Sequence, residues 1–344
     1  MAYDSARNRV VLFGGQRTID VFGDTREWDG WEWLWGADTG PNPRAHHAMA
    51  YDSRRGVTVL FGGQSAGGSP WYGDTWEWDG TTWISRGADG PVARAGHAMA
   101  YDVARGATVL FGGGNYSSVF RETWEWNGEL WVLRALDGPR GVHKPALAYD
   151  TARNVVVLFG GSSGEPPFQI YGETWEWNGV SWALRATSGP TPRSWGSMTY
   201  DSARGVTVLY AGWAYSGSLL GNTWDWDGEN WTLRLPNGAP PGLRVGHAMA
   251  FDSERDEAVM FGGWETNSGY LGDTWLRGTP ERANFDFDCD VDLADFTTFQ
   301  LCFGGSNNPP ASTCPPAVNA DLDGDHDVDL GDFLIFQQNF TGSR

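Results

Sequence analysis

The sequence predicts a mainly β protein of six similar four-stranded units, followed by a small acidic domain with helical segments. Three observations carry that prediction. A strand-like string, A-M-A-Y-D and its variants, recurs around Met1, Met49, Met99, Leu147, Met198 and Met249, a period of about 50 residues. The chain holds 48 Gly and 21 Trp with few stretches of helical periodicity, which favours short strands joined by tight turns. Between Asp286 and Asp332 lie eleven Asp and neither Lys nor Arg, so the C-terminal segment differs in kind from the repeats.

The 344 residues carry a net charge of −19, which repels a nucleic-acid backbone and sets nucleic acid aside as a partner. No run reaches the roughly 18 consecutive apolar residues of a membrane-spanning helix. The three cysteines, Cys289, Cys302 and Cys314, all lie in the acidic segment. Lys144 is the sole lysine and reads as compositional bias rather than as a site.

Each repeat runs A-M-A-Y-D, x-x-R, V-x-V-L-F-G-G, a variable loop, [DEN]-T-W-E-W, [DN]-G and W-x-L-R, with units beginning near residues 1, 48, 98, 146, 197 and 248. Asp79-Gly80, Asn127-Gly128, Asn178-Gly179 and Asp227-Gly228 read as two-residue hairpin turns, in which both central residues take positive φ. Counting outward sets Trp76 opposite Trp83, Trp124 opposite Trp131, Trp175 opposite Trp182 and Trp224 opposite Trp231. In the first repeat the count sets Arg26 opposite Trp33, a cation–π pair in place of an indole pair. Most tryptophans are thereby assigned to sheet stabilisation.

The V-L-F-G-G, T-W-E-W-[DN]-G and W-x-L-R motifs together resemble kelch repeats across residues 1–277. The resemblance implies a six-bladed kelch-type β-propeller of the galactose oxidase-like class, with Ala-Met-Ala-Tyr innermost in each blade. The sixth repeat ends at Asp273-Thr274-Trp275 with no W-x-L-R, so the last blade is expected to lack its outer strand. The first repeat starts inside its innermost strand, without the R-x-x-H lead-in of Arg44/His47, Arg94/His97 and Arg244/His247. The expectation is therefore an amino-terminal truncation or a misassigned start, which also accounts for the missing signal peptide. Constant turns share one face of such a ring and variable loops the other, and binding concentrates on loops held by a rigid scaffold.

Catalytic constellations are not evident. Copper radical oxidases of this fold need a Cys–Tyr crosslink, and no cysteine precedes Cys289. The D-G-x-x-W string reads as hairpin chemistry rather than as a sialidase box. His47, His97 and His247 occupy equivalent positions in three blades and read as polar strand entrances near the central channel. Glu77, Glu125 and Glu176, like Asp52, Asp102 and Asp150, recur at one repeat position each and read as scaffold. What departs from the repeat is more informative. Trp213 and Trp264 follow the Ala-Gly or Gly-Gly step where other repeats carry Gln16, Gln64, Gly114 and Ser162. With Trp195, Tyr215, Trp71, Arg193 and Arg244 they are the candidate ligand contacts of the variable face, suited to stacking on a sugar ring or a partner's side chain.

In the acidic segment two registers repeat. Asn284, Asp286, Asp288, Asp290, Asp292 and Asp295 form one twelve-residue loop, and Asp321, Asp323, Asp325, Asp327, Asp329 and Asp332 the other. Alternating carboxylates at positions 1, 3, 5, 7, 9 and 12 supply the oxygens that Ca²⁺ requires, so two Ca²⁺ ions are expected. Position 6, usually Gly, is Cys289 or His326. Helical apolar series follow, Leu293, Phe296, Phe299, Phe303 and Leu330, Phe333, Phe336, Phe340. This duplicated loop–helix pattern resembles a type I dockerin domain, placed at 284–344 after a 278–283 linker. The resemblance implies a cohesin-like partner, although recognition positions 10 and 11 hold Leu293-Ala294 and Leu330-Gly331 where hydroxyl residues are frequent. Cys302 and Cys314 flank the connection between the two units, where a disulfide would staple a small core and leave Cys289 as the odd thiol.

The resulting expectation is a secreted or cell-surface, calcium-binding adaptor. Its propeller binds a carbohydrate or protein ligand, its dockerin-like module attaches it to a cohesin-like partner, and the whole is linked to polysaccharide catabolism. The rival expectations are an anchored glycoside hydrolase or polysaccharide lyase, and a structural surface protein with no small ligand.

Overall fold

The computed structural model describes residues 1–164, 168–215, 217–234, 241–278, 293–305, 310–314, 320 and 328–339. They form two compact units, one of Met1–Leu235 with Pro241–Leu276 and one containing Arg277–Arg344. The first is a six-bladed β-propeller. In its first blade the strands Ala2–Asp4, Arg9–Arg17, Asp20–Trp28 and Trp33–Ala37 follow one another as an antiparallel meander. Five sheets have four strands in this order; the sixth has three, Ala248–Asp252, Glu257–Glu265 and Gly269–Gly278. The innermost strands touch in cyclic order, and Ala2–Asp4 meets Ala248–Asp252 to close the ring.

The V-x-V-L-F strands are continuously apolar because each blade is covered on both faces by its neighbours. Val59, Leu60 and Phe61 are completely buried. The cores accordingly lie between blades: Val11 and Phe13 of the first blade pack with Met49, Leu60 and Trp78 of the second. Val10 and Trp28 pack with Ala250 and Val259 across the closing seam. Hydrogen bonds repeat the same stitch, as the fourth-strand indole donates to a threonine of the preceding blade. Trp83 Nε1 lies 2.8 Å from Thr25 Oγ1, and Trp33 Nε1 lies 2.7 Å from Thr274 Oγ1 at the closure.

The hairpin register differs from expectation. Trp78 pairs with Trp83, Trp126 with Trp131, Trp177 with Trp182 and Trp226 with Trp231, while Arg26 lies opposite Trp35 rather than Trp33. The turn holds four residues, not two. Asp79 Oδ1 accepts from the backbone N–H groups of Thr81 and Thr82, both at 2.8 Å, and closes the turn through a side chain. Only Gly80, at φ 95°, takes the positive φ that a two-residue turn demands at both positions. The cation–π contact survives in the shifted register, with the Arg26 guanidinium 4.0 Å from the Trp35 ring centre.

The second unit contains helices α1, Leu293–Cys302, and α2, Leu330–Asn339. Phe299 and Phe336 stack at 5.3 Å and form a core with Val328, Ala320 and Cys302. Cys302 is disulfide-bonded to Cys314. Phe303 falls just beyond α1, and both it and Leu330 are exposed, so the apolar series covers less of the core than its spacing suggests.

Candidate functional site

The double-glycine step builds the variable face. Gly62 and Gly63 take φ of 64° and 98°, which turns the strand and leaves carbonyls without ladder partners. A buried lead-in arginine satisfies them. Arg44 donates to Gly62 O at 2.9 Å and to Asp74 Oδ1 at 2.6 Å. Arg193 donates to Ala211 O and Asn222 Oδ1, and Arg244 to Gly262 O and Asp273. Arg193 and Arg244 are only 1% and 2% exposed, so these two expected ligand contacts are placed as clamps inside their blades.

Two residues after each of these arginines, and at the equivalent Gly96 and Lys144 of the third and fourth blades, the chain takes a left-handed step: His46, Gly96, Lys144, Trp195 and Gly246 have φ between 54° and 67°. Their backbones join blade to blade around the axis. Gly96 N donates to His46 O, Lys144 N to Gly96 O, Trp195 N to Lys144 O and Gly246 N to Trp195 O, at 2.7–3.1 Å. A bulky aromatic in this conformation is strained and persists where its surroundings fix it. Trp195 is fixed from two sides. The Lys144 ammonium lies 3.3 Å from its ring centre, and the His46 ring meets it edge-on at 5.1 Å. The two glycines leave the necessary room, since a Cβ at Gly96 would stand 2.8 Å from Lys144 Cε and one at Gly246 3.2 Å from the Trp195 ring.

This ring opens into an axial cavity of about 1490 Å³. Trp195, Trp213 and Trp264 all line it; Trp71 and Tyr215 do not, and Trp71 instead approaches Tyr116 at 6.2 Å between ring centres. Trp213 and Trp264, each 38% exposed, sit at equivalent places, bridging Ser194 and Val245 of the lead-in segments as Gln64 bridges Ala45. His47, His97 and His247 also line the cavity, and each packs edge-on against an aromatic ring: Phe13, Phe61 and Tyr210. Burial, assisted by neighbouring arginine charge, pushes His97 and His247 down to about 3 and holds His47 well below the ordinary histidine value. Among the described residues no three His, Cys, Asp or Glu side chains come together as a metal-holding group.

Lys144 is the residue that sequence reading set aside. Its stem is half-buried, its Nζ is closed off from solvent, and no acceptor among the described residues reaches it. Burial depresses its ammonium well below the usual lysine range, and the same burial together with the Lys144 charge depresses His46. The available signal was positional: H, G, K, W and G stand at the same point of five repeats, three residues before the innermost-strand marker.

In the C-terminal unit Asn284, Asp286, Asp288, Asp290 and Asp292, with Cys289, and Asp321, Asp323, Asp325 and Asp327 lie outside the described residues. Asp295 and Asp332, at position 12 of each loop, are fully buried in the first turns of α1 and α2. Asp332 Oδ2 accepts from Asp329 N at 2.7 Å. No family model matches the chain, and a search of curated proteins returns no match.

Proposed function

We propose that this protein is a secreted binding adaptor. A kelch-type propeller takes a carbohydrate in its axial cavity, and a dockerin-like module with two Ca²⁺ ions docks it onto a cohesin-like partner in polysaccharide catabolism. The observation that carries the reading is the convergence of Trp195, Trp213 and Trp264 on one cavity of about 1490 Å³. Pyranose rings present apolar faces that stack on indoles, and a concave site lined by aromatics with a few polar groups is the usual form of a small-ligand site. For the anchor, the support is the duplicated carboxylate register together with the full burial of Asp295 and Asp332 at its last position. A carboxylate at position 12 of such a loop completes the oxygen set that Ca²⁺ requires.

A glycan array with product analysis tests the propeller reading. Retention of a sugar that is lost in Trp213→Ala/Trp264→Ala, with no new reducing ends, supports it. Cleavage of the bound glycan would establish an enzyme instead, and an array without any retained glycan removes the carbohydrate reading.

A further inference from the structure

The charge lining the axial cavity runs against that of the chain. Among the described residues Arg17, Arg26 and Lys144 line it, and Asp24 is the one carboxylate that does. Asp24 is already taken, its Oδ2 accepting from Arg26 Nε at 2.8 Å. Arg17 and Lys144 are therefore left without a carboxylate partner among the described residues, in a protein of net charge −19. Of these, Lys144 is held most deliberately. Its ammonium rests on the Trp195 face with no hydrogen-bond acceptor among the described residues, and Gly96 is left without a side chain where the lysine stem passes. An indole face is a weaker partner for an ammonium than a carboxylate, which adds directional hydrogen bonds to opposite charge.

We infer that the cavity selects an acidic sugar, a uronic-acid residue whose carboxylate takes the place of the Trp195 indole against the Lys144 ammonium while Trp213 and Trp264 stack on the neighbouring rings. The inference rests on the carbohydrate reading above and deepens it. Trp195 acts as the resident cover of the cation. Its left-handed backbone, φ 63°, is a conformation that local structure tolerates rather than favours, and displacing the ring leaves the backbone hydrogen bonds to Lys144 and Gly246 in place. Arg17, exposed at the cavity rim and with no ion-pair partner among the described residues, gives the site its long-range attraction for the same charge.

The test titrates the full chain with tetragalacturonate and with its methyl ester, following heat and tryptophan fluorescence. The expected result is at least tenfold tighter binding of the free acid, weakened by salt, with a change in indole emission. Lys144→Met, which keeps the stem length, removes the preference, and Arg17→Gln, on an exposed side chain, reduces it several-fold without affecting the fold. Thermal melts of both variants confirm folding. Equal binding of acid and ester overturns the inference and leaves the carbohydrate reading standing. Neutral glycans retained on the array with neither probe bound also overturns it, whereas an array with no retained glycan removes both.

Discussion

Across the seam between the second and third blades, Trp126 Nε1 donates to Glu77 Oε1 at 3.0 Å. The same carboxylate accepts from Arg55 at 2.5 Å and from Arg86 at 2.7 Å, so one buried acid ties the first turn and the outer strand of its own blade to the indole of the next. Trp78 with Glu27, Trp177 with Glu125 and Trp226 with Glu176 repeat the link. The repeated Glu of T-W-E-W is therefore the charge around which adjacent blades are assembled.

Glu77→Ala is expected to destabilise the propeller by about 3 kcal/mol, because it strands an indole N–H and leaves two guanidinium groups without their shared acceptor. Urea unfolding followed by tryptophan fluorescence measures this. A loss below about 0.5 kcal/mol, the range of an ordinary surface change, would reject the assignment.

The sixth blade lacks this acid. Its third strand reads T-W-L-R, with Leu276 at the glutamate position, and Trp28 Nε1 in the first blade is buried without a partner among the described residues. Leu276→Glu should give that N–H an acceptor and raise stability by about 1 kcal/mol. An unchanged or lower denaturation midpoint counts against the equivalence of the two seams.

Acid should weaken the propeller. His97 and His247 titrate at about 3 when folded, and His47 well below its ordinary value, whereas the unfolded histidines titrate near 6.5. The unfolded chain thus binds more protons between about pH 3 and 6.5, and each histidine removes at most roughly 1.4 kcal/mol per pH unit as pH falls through that window. Glu257, raised by burial to about 7 from 4.5, acts oppositely over its own interval because the folded state holds the proton there. His46 and His143, also depressed by burial, act in the same direction, so five histidines against one carboxyl give a lower melting temperature at pH 5 than at pH 7, with a shallower fall in His247→Gln. A flat profile from pH 7 to 5 would show that the histidines are solvated.

If the C-terminal unit is built on Ca²⁺, chelation removes ligand that binds only its folded form and lowers its stability by mass action. Calorimetry should then show one transition that falls with chelator and one, from the propeller, that does not. Reducing the Cys302–Cys314 bond should lower the same transition by about 3 kcal/mol. A chelator-insensitive thermogram would refute the calcium assignment.

Much of the fold is written along the chain. Six periods, four apolar segments per period and the double glycines are local properties, and together they specify blades, their order and the face on which loops vary. The helices after the two acidic loops follow from apolar spacing in the same way, and the bond between Cys302 and Cys314 is expected because they flank the connection between the two units. Register did not follow, because a side chain, Asp79 Oδ1, closes the turn and its reach is not visible in an Asp-Gly dipeptide.

The site was legible only in part. Trp213 and Trp264 stand out as departures from a repeat, and Trp195 lies beside them, so sequence alone picks out three of the cavity's indoles. Arg193 and Arg244 have the same local context as ligand-binding arginines, yet the glycine turns expose carbonyls that draw both guanidinium groups inward. Lys144 and His46 come to Trp195 from the fourth and second blades, and only closure of the ring brings them to one axis. Sequence determined the unit that repeats; tertiary structure decided what meets at the centre, because contacts across a closed ring join residues that no local pattern relates.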